Sequence, residues 1–184
     1  MTPSATATRM VYSSSPENIQ AGVAAGLLAV GSQFVGTMED CALLLNAIAA
    51  AEDAPSEARA IASRHRASRQ PVPGFGHHLH RPDDPRATAL LALAEELGTS
   101  GGHALALKAL AAAVDEAAGR HITINATGAI AAVLGDIGVP ARLMRGFAVL
   151  ARAAGLIAHI AEEQQDPSGR FIWNMLDATM MSPA

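Results

Sequence analysis

The segment PGFGHHLHRPDDPR, residues 73–86, interrupts a chain whose other parts follow helical patterns. Two glycines flank an aromatic residue, and glycine permits the backbone conformations that present the next side chain, His77, at a fixed angle. Arg81 and Arg86 add two permanent positive charges, and Arg86 follows a helix start, where free N–H groups favour an anion. These features predict a site for a carboxylate or phosphate, with a proton donor or acceptor beside it.

Outside this segment the chain carries frequent helix signals and no clear strand pattern. Small polar residues stand directly before proline at residues 2–3, 15–16 and 84–85, an arrangement that predicts helix starts. The stretch 19–30 is apolar nearly all round, which predicts a buried central helix. Residues 122–124 are the one candidate for a short extended piece. We predict an all-α fold with helices over residues 3–12, 16–30, 37–52, 55–65, 85–98, 103–118, 128–137, 140–164 and 171–177.

The composition narrows the class of protein. The 184 residues are 50% hydrophobic but only 3% aromatic, and the abundant alanines favour helices that pack closely. A net charge of -4 and a pI near 5.9 provide no basic surface for a polyanion, which argues against nucleic-acid binding. The mean hydropathy of +0.22 predicts apolar surface left over for a subunit interface, and hence a homodimer or higher homo-oligomer.

Cysteine usage and the N-terminus indicate the compartment. Cys41 is the only cysteine, which excludes an internal disulfide and a cysteine-based metal cluster and suits a reducing cytosol. The N-terminus lacks a signal-peptide core, and no stretch reaches the ~18 uninterrupted apolar residues of a membrane span. We therefore expect a cytoplasmic protein with no membrane partner. Cys41 follows two carboxylates, which disfavour a thiolate, so it is predicted to be a buried structural thiol.

Histidines raise the question of a metal site. The three at residues 77, 78 and 80 offer imidazole ligands, but His78 and His80 share a face only in an extended chain, and no cysteine lies nearby. We predict no metal and no permanently bound cofactor. His159, on a predicted long helix, is interpreted as a packed core histidine.

Residues 73–77 followed by Asp84-Pro85-Arg86 resemble the active-site segment of citrate synthases, which read Gly-Phe/Tyr-Gly-His and then Asp-Pro-Arg. Three other stretches of the chain resemble further segments of that family. They are residues 13–36, the Asn125–Gly128 stretch at the family's Asn-Val-Asp position, and residues 151–159 at its Ala-Arg-Thr-Ala-Gly helix. The resemblance covers residues 2–164 and implies a truncated large domain (1–66), a small domain (67–139) and C-terminal helices returning to the large domain (140–184).

The resemblance implies a role for each matching residue. His77 would polarise the keto oxygen of oxaloacetate, Arg86 and Arg152 would clamp its carboxylates, and Arg170 would be the arginine that reaches across the dimer. Arg81 would meet the phosphates of coenzyme A. The resemblance places the acyl-CoA beside Gly74, Phe75 and Gly76.

Two departures from the citrate synthase pattern change the expected chemistry. Phe34 stands where the family has a histidine that steadies the enol, and Thr127 stands where it has the aspartate base. Residues 34–39 and 125–128 instead resemble a shorter subgroup labelled citryl-CoA lyases. In that case Glu39 or Asp40 would be the base, and Thr127 or Asn125 would donate a hydrogen bond to the thioester. The structural alternatives are a first-turn helix carboxylate for Glu39 and, for Asn125 and Thr127, a helix cap before Gly128.

The resemblance therefore implies an enzyme that cleaves or forms a C–C bond between an acyl-CoA and an oxo-acid, of the citryl-CoA lyase type. The alternative enzymatic function is that of a citrate synthase-type acyltransferase. The alternative without enzymatic activity is a homologue that binds coenzyme A or only oligomerises. The coenzyme A thioester enters as a substrate, and no nucleic acid is expected as a partner.

Overall fold

The computed structural model describes residues 2–180, apart from the side chains of residues 32–36, and this part of the chain is helical without a strand. The all-α prediction is confirmed. The helices are α1 (Pro3–Ser14), α2 (Ile19–Leu28), α3 (Gly31–Ala50), α4 (Ala54–Ala67), α5 (Pro85–Glu96), α6 (Gly102–Ala118), α7 (Ala126–Asp136), α8 (Ala141–Gln165) and α9 (Gly169–Met180).

The chain divides into two compact units. The terminal unit comprises residues 1–35 and 146–184, and the central unit comprises residues 36–145. The boundaries predicted at 66/67 and 139/140 concern the family's large and small domains, and they stay a prediction.

In the terminal unit α1 and α2 approach closely because α2 presents glycines to its neighbour. A Cβ added at Gly26 would lie 2.5 Å from a methyl carbon of Leu156 and 3.0 Å from the carbonyl oxygen of Ser4. The Ser4 hydroxyl also donates a 2.7 Å hydrogen bond to the Gly26 carbonyl. The prediction of a central helix buried all round is wrong, because Ile19 is 44% exposed and Leu28 is 86% exposed.

A buried ion pair joins the ends of the terminal unit. Arg9 donates to Glu163 at 2.9 Å and also contacts Glu162. Glu163 in turn accepts the backbone N–H groups of Ser168 and Gly169, at 2.8 and 2.7 Å, and so caps α9. Burial alone would raise the pKa of Glu163, but the hydrogen bonds from Ser168 and Arg9 lower it. His159 packs half-buried with its Nδ1 3.0 Å from Arg9, as expected of a structural histidine.

In the central unit α4 packs on α6, and α7 packs on both α5 and α6. The core side chains are aliphatic and at most 1% exposed, and they include Leu45, Ile48, Ile61, Leu107 and Leu110. Cys41 is fully buried among them, and burial together with the charge of Asp40 raises the pKa of its thiol to about 12. The prediction of a structural thiol is confirmed.

Helix α6 is capped by a residue from another helix. Gly101 has no side chain to cap it, and Asp136, at the end of α7, accepts the backbone N–H groups of Gly101 and His103 at 2.7 Å each and of Ala104 at 3.1 Å. The His103 ring extends the link to α3, because its Nε2 lies 2.8 Å from Asn46 Oδ1. This network fixes α7 against α6.

Two helix starts differ from the predictions by three residues or more. Helix α2 begins at Ile19 with Asn18 as its cap, so Ser15-Pro16 forms a turn before it rather than its first residues. Helix α3 begins at Gly31 rather than at residue 37. The helix continues through Gly36, because a single glycine costs a helix only about 1 kcal/mol.

Helix α8 is long and apolar enough to cross a membrane by length and composition alone, and 17% of its most apolar 18-residue window is buried in the structure. Arg145 and Arg152 interrupt its apolar sequence. The absence of a membrane partner therefore stays a prediction.

Candidate functional site

The segment that contains His77 lies against the residues before α7. Gly76 N–H donates to the Thr123 carbonyl at 2.8 Å, and Asn125 N–H donates to the Gly74 carbonyl at 3.0 Å. Phe75 and Ile124 form an isolated antiparallel bridge between these hydrogen bonds. The predicted extended piece at residues 122–124 thus serves to hold the segment in place.

Glycine is required at two points of this contact. Gly74 has φ +89°, and a Cβ there would lie 2.6 Å from the Cys41 sulfur and 2.9 Å from the Cα atom of Gly128. A Cβ at Gly128 would lie 2.6 Å from the Gly74 carbonyl oxygen. The two glycines therefore let the segment cross the first turn of α7 at backbone contact distance.

Asn125 caps α7 and holds the segment at the same time. Its side-chain oxygen accepts the Gly128 N–H at 3.1 Å, and its amide nitrogen donates to the Gly76 carbonyl at 3.0 Å. Of the two residues for which the sequence leaves a helix cap open, Asn125 is the one that caps α7. Thr127 follows as the second residue of α7 and is half-buried.

Asp84 caps α5 and holds the side chain of Arg86. Its Oδ1 accepts from Arg86 N–H at 3.1 Å and from Nε at 2.9 Å, and its Oδ2 accepts from Nη2 at 2.8 Å. The Ala126 N–H, in the first turn of α7, donates to Oδ2 at 3.0 Å. The hydrogen bond from the Arg86 side chain is the largest reason why the pKa of Asp84 lies well below its ordinary value, although burial opposes it. The carboxylate is 1% exposed and remains anionic in the folded protein.

The ring of His77 is oriented by its own loop. Its Nδ1 lies 3.1 Å from the Leu79 N–H and 3.0 Å from the His80 N–H, so Nδ1 is the acceptor. Partial burial, followed by the charges of His80, His78 and Arg86, lowers the pKa of His77. The neutral ring therefore carries its proton on Nε2.

His77 and Arg86 meet, as the sequence predicts, with Nε2 of the histidine 3.3 Å from Nη2 of the arginine. A guanidinium only donates, and a neutral ring whose Nδ1 accepts can only donate from Nε2. Two donors thus face each other, and an oxygen acceptor placed against both would satisfy them. This arrangement suits a carbonyl or carboxylate oxygen.

A cavity of about 480 Å³ opens beside His77, lined by Gly76, His77, Arg81, Pro82, Arg120, His121, Ile122 and Thr123. Arg81 and Arg120 contribute two permanent positive charges. His121 is held between Asp115, with Nδ1 to Oδ2 at 2.8 Å, and Asp83, with Nε2 to Oδ1 at 3.3 Å. The hydrogen bond that His121 donates to the Asp115 carboxylate is the first cause that raises the pKa of His121. The cavity is therefore suited to an anion.

The predicted coenzyme A contacts divide between surface and core. Arg81 is exposed and Gly76 lines the cavity, whereas Gly74 and Phe75 are buried, and Phe75 is only 8% exposed. The two buried residues shape the segment.

Of the predicted catalytic groups, Glu39 belongs to the central unit, and its carboxylate is 3.4 Å from Nη2 of Arg145. The alternative of a first-turn helix carboxylate is wrong, because α3 begins at Gly31, eight residues before Glu39. The Phe34 side chain lies outside the described residues. Arg152 and Arg170 belong to the terminal unit. Arg152 is half-buried beside a cavity of about 40 Å³ lined also by Thr2 to Ser4 and by Ala29 and Val30, and Arg170 is exposed at the start of α9.

One group of side chains has the spacing of a metal site: ligand atoms of His77, His80 and Asp84 lie within 4.8 Å of one another. Both oxygens of Asp84 are already committed to Arg86 and Ala126. A cation here would have to displace a guanidinium. The prediction of no metal stays a prediction.

Sequence reasoning missed Asp84, Arg120 and His121. Asp84 was noted only as part of a motif and a helix cap. Arg120 and His121 belong to no motif. The available signal for Arg120 and His121 was their position five and four residues before Asn125, close to the stretch 123–125 that pairs with residues 74–76.

The family model described as citrate synthase, C-terminal domain, matches residues 1–173. A Mycobacterium tuberculosis protein whose name provisionally assigns it as a second citrate synthase is 34% identical over 126 residues, which are 66% of this chain and 32% of that protein. The citrate synthase of Haloferax volcanii is 32% identical over 97 residues, or 52% of this chain and 25% of the relative.

Among solved structures, citryl-CoA lyase from Hydrogenobacter thermophilus has a TM-score of 0.79 and 33% identity, covering 88% of this chain and 61% of the lyase. Citrate synthase from Thermotoga maritima has a TM-score of 0.73 at 19% identity, covering 92% of this chain and 46% of that one, and shows the shared fold. The chain spans about a third or less of the curated relatives' length and under two thirds of the lyase. Because the family model covers almost the whole sequence, the chain belongs to the citrate synthase family.

Proposed function

We propose that this chain binds an acyl-CoA and an oxo-acid and cleaves or forms the C–C bond between them, in the manner of a citryl-CoA lyase. The observation that carries the proposal is the pair of donors, His77 Nε2 and Arg86 Nη2, which face each other 3.3 Å apart. In the cleavage direction the C–C bond of citryl-CoA breaks, the hydroxyl becomes the keto group of oxaloacetate, and the acetyl-CoA carbon takes up a proton. The His77 Nε2–H stabilises the oxygen on which negative charge develops, and Arg86 binds the neighbouring carboxylate.

The cavity beside His77 supports the acyl-CoA half of the proposal. Arg81 and Arg120 line it with fixed positive charge, which suits the phosphates of coenzyme A. The Thermoplasma acidophilum citrate synthase, which shares the fold at a TM-score of 0.70 and 22% identity, was solved with carboxymethyl coenzyme A and oxaloacetate. Substitution Arg120→Ala is expected to weaken coenzyme A binding about tenfold, the loss of one charge-assisted contact.

The reaction is tested by a coupled assay for acetyl-CoA and oxaloacetate released from citryl-CoA. Substitution His77→Ala is expected to lower the rate by about 100-fold, or roughly 3 kcal/mol of transition-state stabilisation. His65→Ala is the matched control, because the His65 ring lies 3.1 Å from the Pro71 carbonyl and does not line the cavity. An unchanged rate in the His77 variant would remove that role.

A second candidate function is ligand binding without turnover. It is favoured because the groups that would replace the family's aspartate base and enol-stabilising histidine already have partners within the protein. The Asn125 amide is engaged by Gly128 and Gly76, and the Glu39 carboxylate is paired with Arg145. Calorimetry with coenzyme A and oxaloacetate would detect binding in both cases, and only the enzyme would turn over citryl-CoA. A citrate synthase-type activity would instead release free thiol from acetyl-CoA and oxaloacetate.

We also propose a cytoplasmic homodimer. Helix α8 exposes Phe147 at 45%, Leu150 at 70% and Ile157 at 55%, which is apolar surface of the kind that subunit interfaces cover. Sedimentation of the purified protein at several concentrations tests the oligomer, and a monomer at all concentrations would exclude it.

A further inference from the structure

We propose that Asp84 is the positioning residue of the site. Its buried carboxylate holds the Arg86 guanidinium in a fixed position relative to the first turn of α7, and thereby sets the affinity for the oxo-acid. This inference rests on the proposed function, since the oxo-acid is the ligand that Arg86 would hold.

The contacts of Asp84 go beyond those of a helix cap. Capping α5 requires only the hydrogen bond from the Arg86 backbone N–H to Oδ1. Nε and Nη2 of the same arginine add a two-pronged contact at 2.9 and 2.8 Å, and the Ala126 N–H adds a fourth donor from a helix 42 residues away. One carboxylate thus links two helix starts and a cationic side chain.

The difference in exposure between the two side chains explains why their contact matters for binding. The Asp84 side chain is 0% exposed, whereas that of Arg86 is 58% exposed. An exposed arginine without a partner samples many rotamers, and a ligand must then order it. Because Asp84 occupies the edge formed by Nε and Nη2, the guanidinium stands ordered before the ligand arrives and offers its outer edge to a carboxylate.

The hydrogen bond from α7 to Asp84 orders a second part of the site before the ligand arrives. The Ala126 N–H is one of the donors that the start of α7 leaves unsatisfied. By accepting it, Asp84 holds the turn that carries Asn125 and Thr127 in a fixed position relative to Arg86. The Asn125 amide then holds the Gly76 carbonyl, next to His77.

Asp84→Asn is the informative substitution because it separates the two roles. Asparagine caps helices as well as aspartate does, so α5 keeps its start. The amide has one oxygen instead of two and no charge, and its nitrogen would face the donors of Arg86 and Ala126. Asp53→Asn is the matched control, since Asp53 caps α4 through the Ser56 N–H at 2.9 Å and is not placed in the site.

The experiment measures oxaloacetate binding by calorimetry in five proteins: wild type, Asp84→Asn, Asp53→Asn, Arg86→Met and the double variant Asp84→Asn/Arg86→Met. We expect Asp84→Asn to weaken binding about tenfold and Asp53→Asn to leave it unchanged. In the Arg86→Met background the Asp84→Asn substitution should have no further effect, because it acts through Arg86. Equal losses in both backgrounds, or no loss in Asp84→Asn, would overturn the proposal.

A second measurement needs no ligand. The NMR signal of the Arg86 Nε–H should exchange slowly with water in the wild type and in Asp53→Asn, and rapidly in Asp84→Asn. A rapidly exchanging Nε–H in the wild type would overturn the positioning role by itself. If the wild type does not bind oxaloacetate at all, the proposed function fails, and the exchange of this one proton then decides whether Asp84 positions Arg86.

Discussion

Substitution Gly128→Ala tests the backbone contact on which the candidate site is built. Gly128 is the third residue of α7, and in an open helix alanine at such a position would stabilise the protein by up to about 1 kcal/mol. Here the added Cβ would lie 2.6 Å from the Gly74 carbonyl oxygen and 3.2 Å from its Cα atom. These atoms belong to backbone, so they cannot turn aside as the end of a side chain can.

The expected change in the free energy of unfolding of Gly128→Ala is the sum of two unfavourable contributions and one favourable contribution. Forcing a methyl group into a packed contact costs about 1–3 kcal/mol, and displacing Gly74 weakens the Asn125 N–H to Gly74 C=O hydrogen bond by about 1 kcal/mol. The gain in helix propensity offsets about 1 kcal/mol of this. We expect the free energy of unfolding to fall by about 2 kcal/mol.

The matched control is Gly146→Ala. Gly146 lies within α8, where an added Cβ would meet no atom of the described residues within 4 Å, so this substitution should stabilise the protein by about 1 kcal/mol. Urea denaturation followed by far-ultraviolet circular dichroism measures both variants. A Gly128→Ala protein as stable as Gly146→Ala would refute the assigned contact, because both would then respond only through helix propensity.

Two further predictions concern the central unit. Asp136→Asn should lower the free energy of unfolding by about 1–3 kcal/mol, because Asp136 accepts three backbone N–H groups at the start of α6. Burial raises the pKa of Asp136 but these N–H groups lower it below its ordinary value, so the stabilisation is present above the unfolded pKa and is lost as pH falls through the folded one. Urea denaturation at pH values from neutral to acid should show that the free energy of unfolding falls more steeply with decreasing pH in the wild type than in Asp136→Asn. An equal pH dependence in the two proteins would contradict the cap. Cys41 should react with Ellman's reagent at pH 8 at least about 100-fold more slowly in the folded protein than in urea, since its thiol is buried with a pKa of about 12; comparable rates would contradict its burial.

Local signals predicted much of the fold. The starts of α1 and α5 follow from a capping residue before proline, and Thr2 and Asp84 do cap them. Such signals work because the capping hydrogen bond spans only two or three residues. The starts of α2 and α3 were missed. Ser15-Pro16 carries the same local signal, but Asn18 caps α2, and α3 begins at Gly31, which has φ +59°, six residues before the predicted start at residue 37.

The candidate site was predicted in part. His77 and Arg86 lie nine residues apart around one turn, and their meeting follows from the local segment and the family resemblance. Arg120 and His121 come to the same cavity through the pairing of residues 74–76 with 123–125, a contact between segments nearly 50 residues apart. Periodicity and caps carry no information about such contacts.

By itself the sequence determined the helical class, the irregular segment at residues 73–86 and the cation and imidazole that it presents, because these depend on caps, glycines and side-chain chemistry close together in the chain. Only the tertiary structure decided that Asp84 joins Arg86 to α7, that Asn125 is a cap and that Arg120 lines the cavity. Those assignments depend on distances between segments that are remote in sequence, and such distances are set by how glycine-lined backbones and buried carboxylates pack once the chain has folded.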